Sequence, residues 1–316
     1  MAIWIDYGMS NSRNVLRGLA WGLFAISIWV SWMLATRWGV RSSLSVWDLT
    51  ALRFASAGLI LLPFAWQRGL DPRRLGWGLW AAMVVGAGFV YQLFAASGFA
   101  FAPISHGSVM LPGTMPLFVA LLSVLLLGER IVPQRRAGFL LIPVGVACLA
   151  WAGFAHGAGG EWRGQTLFVF SALLWATYTI AMRKSGLSPL DAAAQVCVWS
   201  AILYLPFYAW FAGDGLAQAG WGEIAFQTLI QGVLSSVVSL VAYNRALQLL
   251  GASRGAALAS LVPVFATLCA IPLLGEWPAP LDWLGVAVIS TGVYLATGGP
   301  LPTFRKPTTG DAPSGS

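Results

Sequence analysis

Ten stretches of this chain stay apolar for about twenty residues each, the length that spans a bilayer as a helix, and few folds can accommodate that. They cover 17–37, 47–66, 75–98, 104–127, 133–154, 164–183, 189–211, 221–247, 252–274 and 280–298. In hydrocarbon every backbone N–H and C=O must find a partner within the protein, so a spanning segment is a helix or a strand of a closed barrel. These runs are continuous and do not alternate with period two, which selects helices. Of the residues, 58% are hydrophobic and only 9% are charged. A soluble domain carries about 25% charged residues, so the outer surface of this one must face lipid.

The same composition excludes other classes. The net charge is +7, but Lys and Arg sit singly or in pairs between apolar runs, so no nucleic-acid partner is expected. Cys148, Cys197 and Cys269 lie alone inside apolar runs, the setting of small core side chains. His106 and His156 are the only histidines. No clustered His/Glu or paired Asp motif occurs, and no nucleophile–base pair can be assembled. An enzyme is not expected, nor a metal or a cofactor. Residues 1–16 are polar and read as a cytoplasmic N-terminal segment. The run from Gly18 to Thr36 is too long for a signal-peptide core and reads as a retained span. Residues 299–316, rich in Pro, Gly, Thr and Ser, read as a disordered cytoplasmic tail.

The chain also repeats itself. Pro116, Phe118, Leu121, Leu126, Leu127, Gly128, Glu129, Pro133, Gly138, Ile142, Gly145 and Val146 recur 147 positions later, without a gap. The second copy reads Pro263, Phe265, Leu268, Leu273, Leu274, Gly275, Glu276, Pro280, Gly285, Ile289, Gly292 and Val293. A period this long marks a duplicated half-protein rather than a solenoid. Lys and Arg in the short loops set orientation. With the N-terminus inside, fourteen fall inside (Arg13, Arg17, Arg68, Arg73, Arg74, Arg130, Arg135, Arg136, Arg183, Lys184, Arg245, Arg254, Arg305, Lys306) and three outside (Arg37, Arg41, Arg163). Five spans per half is an odd number, so the second half enters the membrane inverted. The loop after Glu129 carries Arg130, Arg135 and Arg136, whereas its twin after Glu276 has neither Lys nor Arg. The expected fold is therefore an all-α integral membrane protein with ten transmembrane helices in two inverted five-helix repeats, an architecture common among secondary transporters.

Local signals repeat as well. Ser45-x-x-Asp48 and Ser188-x-x-Asp191 open the second helix of each half as capping boxes, with gating or ion binding as the alternative for the two acids. Gly128 and Gly275 suit helix ends, with Glu129 and Glu276 in the turns that follow. Pro116 and Pro263 fall mid-span and predict paired helix breaks or hinges. Most tryptophans lie near span ends, as interfacial anchors do. Trp29 and Trp32 lie mid-span instead, and Trp175 and Tyr178 are their equivalents at an offset of 146. Three residues apart, each pair shares a helix face. The two faces are expected to meet across a central cavity, with helix packing or lipid-facing bulk as the alternative. Arg53 lies inside the second span, open between attracting a substrate carboxylate, donating to backbone carbonyls and pairing with Asp48. Tyr91, Gln92, Tyr243 and Asn244 are further polar candidates for that cavity. His106, near the outer start of the fourth span, is open between a hydrogen-bonded structural residue and a proton relay.

The Pro-x11-Gly-Glu motifs and the glycine spacing after them are similar to those of the drug/metabolite transporter superfamily, in its ten-helix EamA branch. Arg53-Phe54 and Ala246-Leu247 ahead of Gly251-Ala252-Ser253 extend the resemblance over about 17–298. The first half carries Phe99-Ala100 at the position of Ala246-Leu247, and the second carries Val196 at that of Arg53. The resemblance implies EamA repeats at 17–154 and 163–298, and export of amino acids, other metabolites or drugs by alternating access. The expected protein is a multi-pass carrier of the bacterial inner membrane with both termini cytoplasmic. Its partners are a small-molecule substrate and the lipid bilayer, and it is a monomer or weak homodimer. No Asp or Glu lies deep in a span, which favours amino acids and related amphipathic metabolites. A drug exporter is the alternative, and a non-transporting scaffold comes third. Proton coupling and facilitated transport both remain open.

Overall fold

The computed structural model describes residues 2–69, 71–156, 160–211 and 213–297. The tail expected over 299–316, with Arg305 and Lys306, lies outside them. Among the described residues the regular structure is helical throughout. In chain order the helices are α1 (Ala2–Gly39), α2 (Val46–Arg68), α3 (Trp77–Ala87), α4 (Phe89–Phe101), α5 (Ile104–Leu127), α6 (Arg136–His156) and α7 (Glu161–Ser185). There follow α8 (Pro189–Phe211), α9 (Gly215–Gln218), α10 (Trp221–Gln227), α11 (Ser239–Leu250), α12 (Ala252–Ala259), α13 (Val262–Leu274) and α14 (Pro280–Ala296). Seven helical segments are long and apolar enough to cross a membrane, and three of the ten sequence runs are covered by shorter apolar helices, Arg136–Trp151, Val262–Leu274 and Pro280–Ala296. Trp66, Trp210, Trp221 and Trp277 project outwards near helix ends, where an aromatic belt belongs.

Two of the ten apolar runs are irregular at equivalent places. The third is broken at Gly88, whose N–H still reaches the Val84 carbonyl at 3.0 Å while Phe89 N–H turns to Ser200 Oγ at 3.2 Å. A side chain at Gly88 would collide with both the Val84 carbonyl and Ser200 Oγ. The eighth passes through a π-helical segment, Thr228–Val238, between α10 and α11. Adding the repeat offset of 147 to Gly88 gives Ser235, inside that segment. Wide helical turns of this kind gather at functional sites.

The break expected at Pro116 does not occur. Helix α5 is continuous from Ile104 to Leu127 through both Pro112 and Pro116. Each proline removes one donor, and two prolines four residues apart place the deficits on one face, leaving the other face to hold the helix together. Pro263 sits in the first turn of α13, where a missing N–H costs nothing, and the interruption lies just before it, between α12 and α13.

The repeated glycines have separate tasks. Gly128 and Gly275 are left-handed (φ +66° each) and end α5 and α13. In both, the following glutamate N–H returns to a carbonyl six residues back, Glu129 to Ser123 and Glu276 to Ala270, so each half closes its helix with the same left-handed glycine turn. Gly138, Gly145, Gly285 and Gly292 all lie where α6 meets α14. A Cβ at Gly138 would sit 2.3 Å from Ala296 N, and one at Gly285 2.6 Å from Leu149. Small residues let two membrane helices approach to backbone contact. The remaining packing also crosses between halves. Helix α2 packs on α8, and α1 packs on α11 and α13, as α7 packs on α3, α4 and α5. The Ser45/Asp48 capping box forms, and in the second half Asp191 N–H donates to Ser188 Oγ, which donates to Asp191 Oδ2.

Candidate functional site

The centre of the bundle is aromatic and reciprocal. Trp29 on α1 packs with a tilt against Tyr243 of α11 (centroids 4.9 Å apart), and Trp175 on α7 packs likewise against Tyr91 of α4 (5.0 Å). The indoles of the two halves thus each take a tyrosine from the other half, rather than facing one another as their spacing suggests. Trp32 packs edge-on against Phe99. Tyr178 touches Trp175 but otherwise packs among Leu79, Met83 and Val196. Asn244 follows Tyr243 on α11 and is half-buried.

Beside these rings lies a polar chain that is incompletely satisfied. Arg53 on α2 has its guanidinium carbon 5.8 Å from the centroid of the Trp32 ring and donates to Ser235 Oγ at 3.1 Å, in the π-helical segment. One turn earlier, Gln231 donates to Thr36 Oγ1 at 2.9 Å and faces Gln92 at 3.5 Å, while Gln227 donates to the Ala35 carbonyl at 2.8 Å. Arg53 Nε, Trp32 Nε1 and Gln92 Oε1 are buried without partners. Among the described residues no carboxylate forms an ion pair with Arg53. Asp48, the partner open from the sequence, caps its own helix and accepts from Tyr208. A cation enclosed without a counter-charge, next to two orphaned polar atoms, is unfavourable unless a ligand completes the set.

Each end of the bundle is tied by an arginine–glutamate pair that joins the two halves. Glu129, after α5, accepts from Arg183 of α7. Glu276, after α13, accepts from Arg37 of α1 at 2.7 Å, forms an ion pair with Arg41 at 3.0 Å, and takes the Ile104 N–H at 2.8 Å. Arg37 and Arg183 are themselves 146 apart, so the two ties are repeat equivalents. Their burial differs. The Arg37 and Glu276 side chains are 7% and 12% exposed, whereas Arg183 and Glu129 are 45% and 46% exposed. The Arg183 hydrogen bond holds the Glu129 carboxyl below the usual carboxylate range. A cavity of about 570 Å³ opens at the Glu129–Arg183 end and reaches Met115, Pro116, Trp175, Thr179 and Tyr243. The motif glutamates therefore do more than shape their turns. Gln231, Ser235, Arg37 and Arg183 were not singled out in the sequence. The pair Gln227/Gln231, four apart in an apolar span, and the shared offset of the two arginines were the available signals.

His106 is enclosed at the other end, with Asp282 Oδ1 3.0 Å from Nε2 and Gln165 Nε2 3.1 Å from Nδ1. Those contacts set it in a polar network rather than among the central rings. Asp48 and Asp282 are only 2% and 6% exposed although each lies in the first turn of its helix. Position near a span end did not predict exposure.

A sequence profile of the EamA-like transporter family matches residues 16–151 and again 162–298. The chain belongs to this family, within the drug/metabolite transporter superfamily. An uncharacterized protein of Pseudomonas aeruginosa is 34% identical over 244 residues, covering 74% of this chain and 77% of its own. The aromatic amino acid exporter YddG of Ancylobacter novellus is 30% identical over 199 residues, 62% of this chain and 67% of the relative. A solved crystal structure with 24% identity superimposes over 89% of this chain and 96% of its own with a TM-score of 0.58, which shows a shared fold.

Proposed function

We propose that this EamA-family protein is a secondary transporter that exports small amphipathic carboxylates, amino acids foremost, by alternating access through the cavity at Trp29, Tyr91, Trp175 and Tyr243. In this reading all ten apolar segments cross the inner membrane, the halves are inverted, and both termini are cytoplasmic. The observation that carries it is the inequality of two equivalent ties. The Glu276–Arg37 end is clamped and buried, while the Glu129–Arg183 end is exposed at the mouth of a cavity leading to Trp175 and Tyr243. An inverted repeat with one end shut and the other open is a carrier caught facing one side. The loop charge bias makes that side the cytoplasm.

Arg53 supplies the selection. A substrate carboxylate would give the buried guanidinium its missing partner and accept from Trp32 Nε1, and aromatic side chains would stack on Trp175. Amino-acid export by a relative of this chain supports the same class of solute.

The test is counterflow of radiolabelled phenylalanine in proteoliposomes. Wild-type exchange is expected, and Arg53→Met should abolish it while leaving thermal stability equal or higher, because an unpaired buried charge has been removed. Loss of stability with unchanged exchange would make Arg53 structural and reject the carboxylate reading. Epitopes inserted after Glu129 and after Glu276 should label from opposite sides; labelling from one side would reject the inverted architecture.

A further inference from the structure

The Glu276 end of the bundle holds a second polar site, whose histidine and aspartate have no counterpart in the other repeat. A cavity of about 330 Å³ there is lined by Arg37, Arg41, Glu161, Glu276 and Asp282. Two guanidiniums face three carboxylates, an excess of one negative charge (3 − 2 = 1). Behind this wall lies His106, 1% exposed. We propose that His106 is the binding site of a proton that this transporter exchanges for its solute, taken up from the Glu276 side. The proposal rests on the transport reading above but not on the solute being an amino acid.

The tautomer follows from the contacts. Gln165 Nε2 donates to the Leu149 carbonyl at 2.9 Å, which fixes the amide with its nitrogen towards the ring. Its other N–H is directed at His106 Nδ1, so Nδ1 carries the lone pair and Nε2 carries the hydrogen, given to Asp282 Oδ1. Asp282 is held in place by the Ala279 N–H, which donates to Oδ2 at 2.9 Å. In this arrangement Nδ1 is the ring atom left to accept a proton. Glu161 Oε2 lies 3.7 Å from that atom, and its side chain is 31% exposed to the cavity. A proton arriving from water through Glu161 would bind at Nδ1. The product is an imidazolium with Asp282 on one side and Glu161 on the other, and its charge cancels the excess.

Protonation cannot leave the surroundings unchanged. Once Nδ1 bears a hydrogen it cannot accept from Gln165, so the amide turns away or inverts. Either movement takes the nitrogen from the Leu149 carbonyl and breaks the link between α7 and α6. Helix α7 also carries Trp175 in the central cavity and Arg183 at the opposite tie. Proton binding at one end thereby reaches the helix that contacts solute. The charged groups facing His106 are Glu161 from α7 and Asp282 from α14, with Glu276, Arg37 and Arg41 around the adjoining cavity. The repeat offset places Ser253 at the position of His106 and Arg135 at that of Asp282, so the other end carries no such site. One-sidedness is what vectorial exchange needs.

Two measurements test this on the full-length protein. In a His156→Asn background His106 is the one remaining imidazole, and its ring 15N signals in nanodiscs should change from the neutral to the imidazolium pattern on acidification. In proteoliposomes with the voltage clamped, a one-unit pH gradient coupled one proton to one solute sustains about a tenfold ratio of labelled phenylalanine. His106→Gln, which keeps a donor for Asp282 but gains no proton, should reduce that ratio to one while counterflow without a gradient continues. Glu161→Gln, at an exposed first-turn position, should weaken the gradient response and leave counterflow intact. A ring that does not titrate, or a His106→Gln protein that still accumulates solute under the gradient, overturns the proposal. If phenylalanine does not exchange even without a gradient, the amino-acid reading fails and the ring titration alone decides the proton site.

Discussion

Replacing Glu276 with Gln should unlatch one end of the protein and leave the other untouched. In the structure Glu276 Oε1 takes Arg37 Nε at 2.7 Å and Arg41 at 3.0 Å, and Oε2 takes the Ile104 N–H at 2.8 Å. Glutamine keeps a single acceptor and no charge. The Ile104 bond can survive, but Arg37, 7% exposed, loses its counter-ion and retains only the Phe99 carbonyl. A charge-assisted hydrogen bond contributes about 1.5–3 kcal/mol. The Arg41 contact, with a 47% exposed partner, adds little. A loss of about 2 kcal/mol from the closed state multiplies the open-to-closed ratio roughly thirtyfold, so a state held by about one per cent of molecules would rise to roughly a quarter. The assay is labelling of Ala270→Cys, a buried residue lining the Glu276 cavity, by a membrane-impermeant maleimide after Cys148, Cys197 and Cys269 are replaced. Glu276→Gln should accelerate labelling about twenty- to twenty-fivefold, in step with that rise in open population. Glu129→Gln, which breaks the exposed tie at the other end, should not. Equal labelling rates in the two variants, or none above wild type in either, would refute the assignment of Glu276 as a latch.

Trp175→Ala and Trp29→Ala should each weaken apparent solute affinity about tenfold in counterflow, since Trp175 lines the cavity and Trp29 supports Tyr243, which does; unchanged affinity in both would remove the aromatic site. Gly138→Ala drives a methyl into the Ala296 and Gly292 backbone of α14, and thermal unfolding should register a loss of about 1–3 kcal/mol. Gly128→Ala has open space and only its left-handed backbone against it, so its loss should be about 1 kcal/mol. The Glu129 carboxyl is held below the ordinary range by Arg183. Its tie is therefore complete above the ordinary carboxylate pKa and lost only as pH falls through the lowered value. The pH profile of transport between about pH 5 and 8 should be the same in wild type and Glu129→Gln.

The helical class, the Ser45 and Ser188 helix starts and the twin glycine turns were legible from the chain. Continuous apolar runs, Ser-x-x-Asp spacings and paired glycines act through the nearest few residues, and such effects are written locally. Membership of the EamA-like family was legible for the same reason, because its motifs are short and repeat in place. The aromatic positions Trp29, Trp32, Trp175 and Tyr178 were found from their offset, but their partners were not. Spacing along one helix says which residues share a face and nothing about the helix opposite.

Pro116 and Gly88 show the limit from the other side. A proline in the middle of a span predicts a break, yet α5 runs through it, while the break falls at a glycine pressed against Val84 and Ser200. Hydropathy also set Arg37 and Arg41 apart as loop charges, although Arg37 is buried against Glu276 and Phe99. By itself the sequence determined that the chain is helical, lives in lipid and was duplicated, since those properties follow from local polarity and self-similarity. Only the tertiary structure decided which end is latched, that Arg53 lacks a counter-ion and that His106 lies between two acids. Each of those facts depends on side chains more than fifty residues apart, brought together by helix packing that no local pattern encodes.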